Sequence, residues 1–260
     1  MACPPLPLQP GELTKLAPLF GSAYFLDVDG TLLEIKPRPE DVVADADLHA
    51  LLTDLSCAAS GALGLVSGRA IDDLDRIFAP LMFPAVGQHG AEIRFPDQSR
   101  RLPSRTAMDP VRQPLADFAA AHPGLSLEDK GAALTVHFRQ APEHAGEVLE
   151  FLAKLARKSG LAVQQGKMVA ELKEAHHDKG RGIATLLATP PFAGRKPVFI
   201  GDDLTDESGF HFVNAHGGIS VRAGSAEDAT HARYLLRNPS EVRGELHRLL
   251  AGLKRKELRP

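Results

Sequence analysis

From Ala23 onward, short apolar runs and striped segments alternate along the chain. AYFLDVD is an apolar run closing on acids before Gly30, which predicts a buried strand opening into a loop. Leu48, Leu51, Leu52 and Leu55 recur at the i, i+3, i+4, i+7 spacing of an amphipathic helix. ALGLVS, closing at Ser67, predicts a second buried strand, and Ala70 to Phe78 a second helix. After His177 the rhythm returns. Ile183, Leu186 and Leu187 share a helical face, KPVFIGDD predicts a buried strand ending in acids, and GGISV predicts another. Val242, Leu246, Leu249, Leu250 and Leu253 stripe a terminal helix. Continuous apolar strands separated by helices predict an α/β core with a parallel sheet covered on both faces.

The middle of the chain has a different order. Residues 104 to about 122 predict a polar helix, and LSLEDK and ALTVHFR two strands. Val148, Phe151, Leu152 and Leu155 mark a further helix, and LAVQQ and MVAELK two more strands. This is an α+β layer set into the parallel pattern. The expected organisation is a flexible tail over 1–10, broken by four prolines, a core of 11–103 with 176–260, and an inserted cap of 104–175.

Composition narrows the function classes. The net charge is -3, and Lys254-Arg255-Lys256 is the one short basic block, read as a solvated helix end, so no nucleic-acid partner is expected. Cys3 and Cys57 are too few for a disulfide framework, and the proline-broken start is unlike a signal peptide. With no run of ~18 apolar residues, a cytoplasmic monomer that acts on a small molecule and has no membrane partner is expected. Eleven histidines without tight ligand spacing give no reason to expect zinc.

The candidate chemistry lies at strand ends. Asp27 and Asp29 follow one apolar strand, and Asp202 and Asp203 follow another within GDDLTDE. Ligands of open parallel sheets bind beyond the carboxyl ends of the strands. Carboxylates gathered there repel one another unless a cation sits among them, and a hard divalent ion such as magnesium suits oxygen donors and phosphate. For a lone DxDG, an acidic strand-to-turn junction fits equally well, and Asp206 and Glu207 also fit a first helical turn. In VSGRA, Ser67 and Gly68 precede a helix where hydroxyl and amide groups can grip phosphate, although Ser67 alone also fits a cap. In HDKGRG, Lys179 is poised to neutralise phosphate oxygens, although alone it fits a surface charge.

The order DVDGT, VSGR, lysine before a helix, then GDDLTDE resembles the haloacid dehalogenase superfamily, whose type-2 caps lie in the position of this insert. FLDVDGTLLEI, SGRAIDDL, GQHGAEIR, LEDKGAALTVHFR, GKMVAELKEAHHDKG and YLLRNPSEV make the chain similar to its trehalose-6-phosphate phosphatases from Ala23 to about Leu250. The resemblance implies a Rossmann-like core and magnesium-dependent hydrolysis of a phosphate monoester. It implies Asp27 as nucleophile, forming an aspartyl-phosphate, and Asp29 as general acid/base. Thr31, Ser67 and Lys179 are implied on the phosphate, with Gly68 and Arg69 of the same segment.

Magnesium is implied on Asp27, Asp202 and the Asp29 backbone carbonyl, with Asp203 and Asp206 as second choices, either as ligands or as residues that orient the ligands. Asp203 is the weaker of these, since neighbours on a strand point to opposite sides. Glu128, Lys130 and Glu171 are implied on the sugar, under a cap that closes over it. Arg139 joins them if ALTVHFR alternates, although a solvated sheet face fits His137 and Arg139 nearly as well. Another sugar-phosphate phosphatase of this fold, acting on sucrose phosphate or a glycosyl-phosphoglycerate, and a non-catalytic phosphate-binding regulator are the competing readings. A P-loop kinase or ATPase is excluded because no GxxxxGK[ST] follows a strand.

Overall fold

A computed structural model of the chain describes residues 4–102, 106–131, 133–166, 168–174, 177–225 and 229–257, with the side chains of 254–257 left out. The expected domain boundaries at 103/104 and 175/176, together with Cys3, His176 and the Lys254-Arg255-Lys256 side chains, lie outside the described residues. Two compact units are present: Met1–Arg101 with Asp178–Pro260, and Leu102–His177.

The first unit runs β1 (Leu6–Pro7), α1 (Leu13–Leu16), β2 (Ser22–Leu26), α2 (Ala46–Ala58), β3 (Leu63–Val66), α3 (Ile71–Phe78), β4 (Ala85–Gly87), β5 (Glu92–Arg94) and β6 (Arg100–Arg101). The second unit follows with α4 (Asp109–Ala121), β7 (Ser126–Asp129), β8 (Ala133–His137), α5 (Ala145–Ser159), β9 (Leu161–Gly166) and β10 (Val169–Glu174). The chain then returns to the first unit with α6 (Lys179–Leu187), β11 (Lys196–Gly201), α7 (Glu207–Ala215), β12 (Ile219–Ala223), β13 (Tyr234–Leu236) and α8 (Pro239–Glu257).

The core sheet has the order β1-β13-β12-β11-β2-β3-β4-β5-β6. Its strands are parallel from β1 to β4. β2 and β11 are buried along nearly their whole length, as a sheet covered on both faces requires. Leu48, Leu51, Leu52 and Leu55 present one buried stripe of α2, and the Asp45 carboxylate accepts the Leu48 amide at 2.8 Å to cap that helix.

Two features depart from the expected pattern. β5 and β6 are antiparallel, so the sheet is not parallel throughout. At the other edge the segment expected as a tail is docked: Leu6 and Pro7 pair with Tyr234 and Leu235, and Leu8 is buried. The unpaired edge of β13 and the apolar ground beside it offset the ordering entropy of those few residues.

In the second unit β7-β8-β10-β9 form an antiparallel sheet. Its core joins Leu134, Val136, Ala170 and Leu172 of the sheet to Val111 and Leu115 of α4 and Val148 and Leu152 of α5. Period-two alternation on β8 therefore sends Leu134 and Val136 toward the helices and Thr135 to the opposite face. α4 begins at Asp109, later than the expected start at 104, with Pro110 in its first turn, where a missing N–H costs nothing.

Candidate active site

β2 and β11 are neighbours, and the chain leaves them in opposite directions across the sheet: β3 and β4 lie beyond β2, β12 and β13 beyond β11. That reversal opens a crevice at their carboxyl ends. Asp27, one residue past β2, donates its backbone N–H to the Ile200 carbonyl at 2.9 Å, which registers it against β11. Asp202 follows β11 directly. The two acidic segments, 175 residues apart in sequence, thus meet at one sheet end.

Asp27, Asp202 and Asp206 each offer a carboxylate oxygen within 4.8 Å of the others. Lys179, the first residue of α6 rather than the one before it, reaches into this group. Its Nζ donates to Asp27 Oδ1 at 2.8 Å and to Asp206 Oδ1 at 2.5 Å, with all three side chains buried. Asp178 caps the helix by accepting the Arg181 amide at 2.9 Å. The Gly180 position allows the tight approach of α6: a Cβ there would stand 2.4 Å from the Ser208 carbonyl oxygen.

Both carboxylate oxygens of Asp206 are hydrogen-bonded. Oδ1 accepts from Lys179, and Oδ2 accepts the backbone amides of Asp202 and Asp203, both at 2.9 Å. Among the expected metal ligands it is therefore the one that fixes Lys179 and the loop after β11. Asp203 is exposed and outside the three-acid group, as the alternation of neighbouring side chains on an extended segment requires.

The charge balance of this group is unusual. Three carboxylates face one ammonium in a space shielded from water. Burial, opposed by Lys179 and reinforced by Asp206 and Asp202, drives the Asp27 carboxyl well above the ordinary range. Burial and then the Asp206 charge push Asp202 up to about 7. Burial also works against the Lys179 charge, but Asp206 and Asp27 outweigh it and hold the ammonium above its usual value. The two negative charges left over are what a divalent cation balances, and an all-carboxylate donor set suits a hard one. The residues fit a divalent metal.

Around this centre the other expected residues fall into two groups. Thr31 and Ser67 are buried beside it, with Thr31 Oγ1 3.5 Å from Asp202 Oδ1 and Ser67 Oγ accepting the Arg69 amide at 3.1 Å. Gly68 lies under the His89 ring, which a Cβ would approach to 2.5 Å. Arg69, expected on phosphate, instead clamps Asp29: Nε and Nη2 donate to its two oxygens at 2.6 and 2.7 Å, and Nη1 to the Pro39 carbonyl at 3.0 Å. The Asp29 carboxylate thereby lies outside the three-acid group.

Motif reading missed the His89 contact, the Arg69–Asp29 clamp and the double duty of Asp206. Glu92 opens β5, and its carboxylate accepts the Ile71 amide at the start of α3 at 2.9 Å. The four-residue spacing of Asp202 and Asp206 was the available signal for the third.

In the second unit, Glu171 faces Thr135 across the β8–β10 ladder, and Thr135 faces Glu128 across β7–β8. Glu171 Oε2 accepts from Lys130 Nζ at 2.9 Å and from Thr135 Oγ1 at 2.7 Å. Glu128 is 3.0 Å from His137 Nε2, and this contact, working against partial burial, lowers its carboxyl below the usual range. Arg139 lies two residues beyond the end of β8 and is exposed.

Gly30 tests the closeness of the acids. It sits at φ +79°, and a Cβ there would lie 2.0 Å from Asp202 Oδ2. Gly30→Ala is expected to lose about 1–3 kcal/mol of stability from the backbone alone, measurable by urea denaturation. The displaced Asp202 carboxylate should also weaken divalent-ion binding, read by calorimetric titration, in the fraction that remains folded.

A family model described as trehalose-phosphatase matches residues 25–240. The chain is 41% identical to the trehalose-6-phosphate phosphatase of Escherichia coli (strain K12), over 90% of this chain and 88% of that one. A solved trehalose-6-phosphate phosphatase related protein superposes with a TM-score of 0.75 at 26% identity, over 90% of this chain and 99% of the other. A haloacid dehalogenase-like hydrolase from Bacteroides thetaiotaomicron, at 18% identity and a TM-score of 0.66 over 88% of this chain and 99% of that one, shares the fold. Strand-end acids around a buried lysine on this sheet, and a family match spanning both units, lead to one conclusion: the chain belongs to the trehalose-phosphatase family.

Proposed function

We propose that this protein hydrolyses trehalose 6-phosphate to trehalose and phosphate through an aspartyl-phosphate on Asp27. The observation that carries the chemistry is the buried Asp27–Lys179–Asp206 chain beside Asp202 at the end of β2 and β11. The substrate follows from family membership and from the 41% identical relative.

One Asp27 oxygen is held by Lys179, which leaves the other to attack phosphorus. As the Asp27 O–P bond forms and the P–O bond to the sugar breaks, Asp29 gives its proton to the departing sugar oxygen. Water then attacks phosphorus, Asp29 takes the proton from it, and the Asp27 O–P bond breaks to free phosphate. Because Arg69 holds both Asp29 oxygens, one of those bonds must open for each proton transfer. Lys179 offsets the repulsion between the Asp27 anion and the incoming phosphate, and Thr31 and Ser67 offer hydroxyls to its oxygens. Asp27 and Asp202 with the Asp29 carbonyl would hold a magnesium ion, which when bound supplies charge neutralisation to the transferring phosphoryl group. Asp206 orients Lys179 and the Asp202 loop.

In the insert, Glu128, Lys130 and Glu171 are proposed to recognise the sugar, since charged groups make strong hydrogen bonds to hydroxyls. The deciding experiment measures phosphate release from trehalose 6-phosphate beside glucose 6-phosphate, sucrose 6-phosphate and an aryl phosphate, with and without EDTA, in wild type and Glu171→Ala. Preference for trehalose 6-phosphate, loss with EDTA and recovery with magnesium are expected. Glu171→Ala should cost trehalose 6-phosphate at least about tenfold, the worth of one charged hydrogen bond, and spare the aryl phosphate. Equal losses on both substrates would refute sugar selection by Glu171, and a flat substrate profile would refute the assignment itself.

A further inference from the structure

The second unit holds another set of metal-donor side chains, which the reaction does not use. His122 directly follows α4 as its capping residue, His144 precedes α5, and Glu147 lies in the first turn of α5. The structure brings together residues that are 22 and 3 positions apart in sequence. Each offers one donor atom within 4.8 Å of the others.

The hydrogen bonding gives these atoms a direction. His122 Nδ1 is 2.7 Å from the Phe118 carbonyl oxygen. A carbonyl only accepts, so Nδ1 carries the proton and, in the neutral ring, Nε2 presents a bare lone pair. That lone pair faces Glu147 Oε2 at 3.3 Å, and His144 Nδ1 stands 3.2 Å from the same oxygen. Facing acceptors need a shared proton or a cation between them. A tetrahedral zinc ion with donors at about 2.0–2.1 Å separates them by roughly 3.3 Å, the spacing found for both imidazole–carboxylate pairs.

The support around His122 is also that of a ligand. Its second nitrogen donates to a backbone carbonyl, which fixes tautomer and ring orientation. The ring packs on Phe118 with centroids 4.3 Å apart, and Phe118 stacks on Phe151 at 4.2 Å. The His122 and His144 rings stand nearly perpendicular, 5.0 Å apart, which lets both nitrogens approach one point without stacking.

We propose that His122 Nε2, His144 Nδ1 and Glu147 Oε2 bind a zinc-class divalent ion, with the fourth position taken by water through the exposed Glu147 side. Two imidazoles select against magnesium, which prefers oxygen donors and keeps its waters. The ion ties the end of α4 to the start of α5 and so braces the helical layer of the insert. It takes no part in phosphate transfer.

The test uses the full chain, stripped of metal and then held in saturating magnesium so that the acidic site is occupied. Zinc is titrated against a chromophoric chelator, and cobalt is added separately for its visible spectrum. A single magnesium-resistant zinc site per chain is expected, together with the intense visible bands of four-coordinate cobalt. His122→Gln and His144→Gln should weaken zinc binding by more than the roughly 10–100-fold that loss of a ligand's hydrogen-bond partner costs. Glu147→Ala, at a mostly exposed position where refolding is not at risk, should do the same and lose the cobalt bands. Protonated imidazoles straddling the Glu147 carboxylate would explain the same contacts without metal. Absence of zinc uptake under magnesium, or equal uptake by wild type and Glu147→Ala, would overturn the proposal in favour of that ion-pair cluster.

Discussion

Asp27→Asn is expected to leave a folded protein that releases phosphate from trehalose 6-phosphate roughly 10⁴- to 10⁶-fold more slowly, the range seen when a nucleophile acting within a catalytic unit is removed. The amide keeps the size of Asp27 and can still accept the 2.8 Å hydrogen bond from Lys179, so the buried network persists. It removes the anion that attacks phosphorus. Rapid acid quench with labelled substrate should trap phosphate on the wild-type protein and none on the variant. The thermal midpoint should stay within about 4 °C of wild type, the shift that corresponds to a change of about 1 kcal/mol in a chain of this size. Substantial residual turnover, or label trapped on Asp27→Asn, would remove Asp27 from its role.

Lys179→Met carries the second large effect, and it strikes chemistry and fold together. Methionine keeps most of the length and volume of lysine and loses both charge-assisted hydrogen bonds, at 2.8 Å to Asp27 and 2.5 Å to Asp206. Two buried carboxylates then have no cation, and breaking a buried pair in this way costs about 3–5 kcal/mol. Turnover of the folded fraction should drop by about 10²–10³, as when one transition-state donor is lost, with the loss falling on kcat more than KM. Urea denaturation and steady-state kinetics on the same preparation separate the two effects. A variant as stable as wild type would show that Asp27 and Asp206 do not need the ammonium. Unchanged kcat would show that the transferring phosphoryl group does not.

Much of this site is legible in local sequence because its parts sit where elements end. Asp27 and Asp202 are readable as acids closing apolar strands, and Lys179 as a residue opening a helix. Strand adjacency is not local: that β2 and β11 are neighbours follows from the order of whole segments, and the resemblance carries that order. Asp206 is harder. Its place in a first helical turn is an adequate account by itself, and only the folded loop shows its carboxylate turned back under the amides of Asp202 and Asp203.

Arg69 lies in a segment that reads as phosphate-binding, yet Asp29 claims its guanidinium, a pairing across 40 residues that no spacing rule reveals. β1 and β6 have two residues each, too few for a period to register. The histidine cluster of the insert escaped because only His144 and Glu147 are near in sequence. His122 joins them through helix packing.

The ends of the core sheet have a consequence for handling the protein at high concentration. One outermost strand contains Pro7, which has no N–H to offer a newcomer, and the other consists of two exposed arginines. A neighbouring molecule seeking to extend the ladder meets a missing donor at one margin and long charged side chains at the other, where Arg100 is already paired with Asp72 and Asp75. Lateral growth of the sheet from molecule to molecule is thereby discouraged at both margins, and crystallisation or crowding should proceed through side-chain surfaces rather than backbone pairing.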